Sequence, residues 1–86
     1  LPLIATLREE QEATYNTGRA YHHLGLGHLA VSAYERVIEI TAHRAATGAD
    51  SAASDLGREA VHNLARICSA SGSRDLARQI VRSLPV

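Results

Sequence analysis

Shifted by 47 residues, this chain lies on top of itself: Glu12 falls on Glu59, Ala13 on Ala60, Asn16 on Asn63, Arg19 on Arg66, Gly25 on Gly72, Leu29 on Leu76 and Ala30 on Ala77. Each copy reads as an apolar-periodic helix, a turn containing glycine, and a second apolar-periodic helix with Leu-Ala near its start. One hairpin of that kind cannot bury its apolar face alone, so self-similarity at this period marks helices stacked pair upon pair. Stacked helical repeats are mostly surfaces for holding other molecules, which moves the expectation towards a scaffold and away from an enzyme.

Composition agrees. Eighty-six residues make at most one small domain, with little interior in which to hide a catalytic site. Apolar residues are 45% of the chain, but there is no Phe, Trp or Met and only three Tyr, so the core is built of small side chains that suit closely packed helices. Nine acidic residues balance nine basic ones, and the strong basic field of a nucleic-acid binder is missing. All nine cations are Arg, mainly a coding bias, although Arg also suits protein interfaces. A single cysteine cannot form an internal disulfide. No apolar run approaches the roughly 20 residues of a membrane span, and Leu1-Pro2-Leu3-Ile4 lacks the basic and apolar regions of a signal peptide. The chain begins without methionine and is expected to be a fragment, one end of a longer array.

The spacing predicts four helices in an all-α arrangement of antiparallel hairpins. Thr6-Leu7-Arg8-Glu9 fits a capping box, so the first helix is expected after Thr6, running to about His23 and stopping at Leu24-Gly25. The second is expected over about 27–41, with a stripe of Ala30, Tyr34, Val37 and Ile38. Residues 45–54, rich in Ala, Ser, Gly and Asp, read as a mobile connection, with Asp50 or Ser54 capping the third helix. That helix carries Val61, Leu64, Ala65 and Cys68 at helical spacing; the fourth carries Leu76, Ala77, Ile80, Val81 and Leu84 until Pro85 ends it. The whole of 1–86 is thus one segment: a first repeat over about 11–44, a polar insertion over about 45–54, and a second repeat over about 55–86.

Gly18, Tyr21, Ala30 and Tyr34 stand at Gly-x2-Tyr-x8-Ala-x3-aromatic, which resembles the tetratricopeptide signature. Small residues at Gly18 and Ala30 would let the two helices of a hairpin approach closely, with Tyr21 and Tyr34 filling the space beside them. In the second copy Ala65 and Ala77 hold the small positions, Gly72 the turn, and Cys68 and Val81 replace the aromatics. The consensus proline after the second helix is Ala42, and the spacing of 47 exceeds the family norm of 34.

A closer resemblance follows. Tyr15-Asn16-Thr17-Gly18-Arg19, then His22-His23-Leu24-Gly25-Leu26, then Leu29-Ala30-Val31-Ser32-Ala33-Tyr34-Glu35 resemble the C-terminal repeats of the large tetratricopeptide subunits of transcription factor IIIC. In that family an acidic or polar insertion and a hairpin reading Ala-x-x-Asn-Leu come next; residues 50–55 and Ala60-Val61-His62-Asn63-Leu64 fit those places. Cys68 departs from the pattern, which has Tyr there. The resemblance covers about residues 11–84. It implies a nuclear scaffold subunit of the RNA polymerase III general factor at tRNA-type genes. Its partners would be other protein subunits of the same complex.

In stacked hairpins of this type the first helix of each repeat lines the concave groove. That rule makes Tyr15, Asn16, Arg19 and His23 of the first helix, and His62, Asn63 and Arg66 of the third, the candidate partner-binding residues. An asparagine amide can pair with an extended backbone and an Arg can fork onto a carboxylate. Equally, Asn16 and Asn63 could tie neighbouring helices together, with Arg19 and Arg66 paired to Glu12 and Glu59. Five histidines invite a metal, but His22 and His23 diverge by about 100° on a helix, and no His/Cys set has structural-zinc spacing. His23 and His62 therefore read as groove-lining, the other histidines as surface or turn positions. Cys68 reads as a small core residue with no activating base. Gly25-Leu26-Gly27 is a helix–helix turn, not a phosphate loop. No catalytic residue, metal, cofactor, small-molecule substrate, membrane or direct nucleic-acid contact is expected. The alternative reading is a tetratricopeptide adaptor of another pathway that grips a peptide in its groove; the carboxylate-gripping kind relies on Lys, and this chain has none.

Overall fold

The computed structural model describes residues 3–46 and 53–70. They form three helices, α1 (Leu3–His23), α2 (Gly27–Ala46) and α3 (Ala53–Ala70), and residues 24–26 between α1 and α2 are the only non-helical ones among them. The fold is all-α, a tetratricopeptide-like hairpin with a third helix laid on its second arm. The expected fourth helix, with Gly72 and Ala77, lies outside the described residues, as does Asp50.

The turn is set by Gly25, whose φ of 78° is in the left-handed region that a side chain resists. With that residue turned, the Leu26 amide donates to the Tyr21 carbonyl at 2.9 Å and the Gly25 amide to the His22 carbonyl at 3.1 Å. This is the Schellman arrangement, which satisfies the last carbonyls of α1. The Leu26 carbonyl then accepts from Leu29 and Ala30 and starts α2. The turn and its glycine fall where the spacing predicts.

Packing registers show the directions of the helices. Gly18 faces Ala33 and Tyr34, whereas Gln11 bonds Thr41, so α2 runs antiparallel to α1. Asn63 reaches Tyr34 and Gly57 faces Thr41, so α3 runs antiparallel to α2 and hence parallel to α1. Helix α2 is the middle layer, packed on both neighbours, while α1 and α3 barely touch. Its buried stripe is correspondingly wider than one flanking helix needs: Ala30, Tyr34 and Val37 are buried as expected, with Ile40, Thr41 and Arg44 besides, and Ile38 only partly covered. On α3, Ala60, Val61, Leu64 and Cys68 are buried. A Cβ on Gly18 would lie 2.8 Å from Tyr34 Cε1 and 3.2 Å from the Ala33 methyl. The close approach expected at Gly18 is present, made with Tyr34 and Ala33, while Ala30 is fully buried nearby in the same core.

Three boundaries differ from expectation. Helix α1 starts at Leu3, so Thr6 is exposed within its first turns and caps nothing; Leu7, buried beneath them, anchors this end by packing. Helix α3 starts at Ala53, which puts Ser54 inside it, with Asp55 in the first turn favourably placed on the helix dipole. Helix α2 continues beyond Thr41 to Ala46 because its last turns are tied down by a buried polar chain. There the Gln11 amide donates to Thr41 Oγ1 at 2.9 Å, the Thr41 hydroxyl donates to the Val37 carbonyl, and Arg44 Nη1 donates to Gln11 Oε1. All three side chains are at least 97% covered. On the outer side of the hairpin, Arg36 binds Glu10 at 2.8 Å and Glu39 at 3.2 Å, and the bond to Glu10 is the main reason its pKa is raised. That exposed pair is screened by solvent and adds little to stability.

Two outcomes test this packing. Gly18→Leu should destabilise the chain by roughly 1–3 kcal/mol through overpacking against Tyr34, while exposed Glu35→Ala should change it by less than about 0.5 kcal/mol, both read from urea unfolding. Gln11→Leu, which removes the buried amide that bonds both Thr41 and Arg44, should cost about 1.5–3 kcal/mol. Adding Arg44→Met should recover most of that loss, because an apolar pair of similar volume needs no partners.

Candidate partner-binding site

Because α1 and α3 are parallel and the set Glu, Asn, Arg recurs along both, equivalent side chains arrive at the same level. Between them opens a polar cleft of about 380 Å³, lined by Arg19, His22 and His23 of α1, Asn63 and Arg66 of α3, and Tyr34 of α2 beneath. Tyr34 is fully covered and acts as the floor. Its ring packs on Tyr15, with centroids 5.9 Å apart at 49°, and His22 stands edge-on to it at 6.3 Å and 82°. The Asn63 amide donates to the Tyr15 hydroxyl at 3.3 Å and to the Tyr34 hydroxyl at 3.5 Å. One amide therefore ties all three helices together under the cleft. Burial is the main cause that raises the Tyr34 pKa above 10.0, with Tyr15 adding to it and the Asn63 bond, Arg19 and Arg66 opposing.

The seven candidates from sequence divide by position. Arg19, His23, Asn63 and Arg66 are brought together around this cleft. Tyr15 is buried in the core, because its place on α1 turns it towards Tyr34 instead of the open groove; any part it plays in binding is indirect. Asn16 is exposed on α1 and is not among the cleft residues, and exposed His62 lines a neighbouring depression with His22, Ala65 and Arg66. Asn63 ties helices together, one of the two roles its spacing allows. Among the described residues Arg19 and Arg66 make no ion pair with Glu12 or Glu59. His22, read as a surface or turn residue, instead stands half-buried in the cleft; its place one turn after Gly18 was the available signal. Among the described residues no three His, Cys, Asp or Glu side chains gather as a metal site would need, and no helix is long and apolar enough to cross a membrane.

Two parallel helices on a shared middle helix, with a polar cleft between them, define a helical-repeat protein of the tetratricopeptide type. The chain is 44% identical, in a match of 80 aligned positions that covers 86% of its length, to transcription factor tau subunit sfc4 of Schizosaccharomyces pombe. It is 35% identical over 71 residues, 83% of its length, to general transcription factor 3C polypeptide 3 of Homo sapiens. The resemblance to the transcription factor IIIC subunits therefore holds across most of this chain. The chain spans about 8% of the length of each of these relatives. No family model and no solved structure matches it.

The floor of the cleft has a pH signature. The folded-state pKa of Tyr34 is raised, so its contribution to stability is intact below the ordinary tyrosine value of about 10 and is lost as pH climbs from there through the folded value. Urea unfolding between pH 8 and 11 should show a decline that Tyr34→Phe reduces; an equally steep decline in the variant would remove Tyr34 from the account.

Proposed function

We propose that this segment is a non-enzymatic protein–protein interaction scaffold within the transcription factor IIIC assembly, acting in the nucleus at genes of the tRNA type. Its partners are other protein subunits of that complex. The observation that carries this reading is the sharing of one open cleft by exposed, polar side chains of two parallel helices. On the outer side of α1 and α2, by contrast, the exposed Arg36 is already paired with Glu10 and Glu39. Similarity to two transcription factor subunits over most of the chain supports the assembly. The roles carried by Asn16, Arg19, His23, His62 and Arg66 are contacts with the partner chain, with Asn63 and Tyr15 holding the helices beneath them.

The test is co-precipitation of the segment with the subunits of the complex, followed by titration of each retained subunit. Asn16→Ala with Arg19→Ala should leave helicity intact and cost roughly 2–4 kcal/mol, about 30- to 1,000-fold in Kd. Arg36→Ala with Glu39→Ala, away from the cleft, should matter much less. An unchanged Kd for the first pair with loss in the second would move binding to the outer face.

A further inference from the structure

Resting on the reading that this face holds a protein, we infer that the cleft selects an acidic segment, seating a side-chain carboxylate between Arg19 and Arg66. The lining supplies two guanidinium groups, two imidazoles and one amide, and no carboxylate. Both arginines are exposed, and neither is engaged by an acidic side chain among the described residues. Glu12, the acid of the same repeated set, borders a separate depression with Arg8 and Arg44, and so does not neutralise Arg19. The Asn63 amide is occupied by the Tyr15 and Tyr34 hydroxyls, which leaves the charged donors to set selectivity.

Each guanidinium presents a planar fork of donors that matches a carboxylate bidentately, so two of them facing one cleft recognise an anion by geometry as well as by charge. His22 is held edge-on against Tyr34, which fixes one wall without closing it. A chain of zero net charge thus concentrates positive charge at one place. The size of that place favours a peptide as the source of the anion. A cleft of about 380 Å³ suits a few side chains of an extended peptide. A nucleic-acid duplex would need a longer basic track to neutralise successive phosphates.

The experiment uses the full 86-residue chain and a fluorescent decaglutamate peptide, with decaglutamine and a short DNA duplex as comparison probes. Binding is followed by anisotropy and by the side-chain NMR signals of the arginines. Decaglutamate should bind and decaglutamine should not. Arg19→Gln and Arg66→Gln should each weaken decaglutamate by about tenfold and together by about a hundredfold. Arg58→Gln, which removes an exposed charge of α3 outside the cleft, should leave it nearly unchanged. Circular dichroism confirms that each variant keeps its helices.

Equal weakening by Arg58→Gln would reduce the effect to overall charge and overturn the proposal. So would absent decaglutamate binding, or a duplex that binds more tightly than the peptide through the same two arginines. The broader reading fails separately. If partner subunits are retained by the Arg19→Gln, Arg66→Gln double variant while decaglutamate is lost, the acidic preference stands and the cleft is not where those subunits bind. If the subunits are lost and decaglutamate never binds, the surface stands and the carboxylate chemistry is wrong.

Discussion

Everything in this hairpin leans on the burial of one aromatic ring. Tyr34 is fully covered, and the space for it exists because Gly18 carries no side chain. That ring holds α1 at the distance where Tyr15 packs on it, brings α3 close enough for Asn63 to reach both phenols, and gives His22 a surface to stand on. Fold and cleft are therefore one construction. The floor of the polar site is the centre of the apolar core, and a change in the core is felt by Arg19 and Arg66 through the helices that carry them.

Gly18 and Gly25 were legible in the sequence because each has one physical meaning at its place, whereas Gly57, which packs against Thr41, was not. Gly25 takes a φ that other residues resist, and Gly18 makes an approach that a methyl would block. The periodic stripe of α2 was legible as far as its apolar members went. What could not be read was the polar part of the core. Gln11, Thr41 and Arg44 stand at helical spacings where polar residues ordinarily face water, and only the meeting of α1 with α2 shows that they satisfy one another. The end of α2 was placed too early for the same reason. At the cleft, Arg19, Asn63 and Arg66 followed from parallel repetition, and His23 from its place on the groove side of α1. Tyr15 and His22 did not, because their positions depend on which way a neighbouring ring turns.

The repeat also shows how identical residues part company. Asn16 and Asn63 occupy the same place in the two copies, yet Asn63 is half-buried and bonded to two tyrosines while Asn16 is exposed. The difference lies in what precedes each helix. Helix α3 has a tyrosine-bearing hairpin in front of it, and among the described residues α1 has none. Sequence identity within a repeat fixes the local shape of a helix, whereas the neighbouring layer decides whether a given side chain is structural or available.

The buried chain from Gln11 through Thr41 to Arg44 has a mechanical meaning. Helices joined by small aliphatic contacts can slide by a turn at modest cost, since one Ala or Val serves much like another. A slide of one turn, about 5.4 Å, would here withdraw the Gln11 amide from both Thr41 and Arg44 at once. Gly57, whose Cβ would sit 2.6 Å from a Thr41 methyl, confines the same point from the α3 side. The hairpin has a single notch. Moving one arm along the other therefore means losing both bonds in one step, so the hairpin holds a single register.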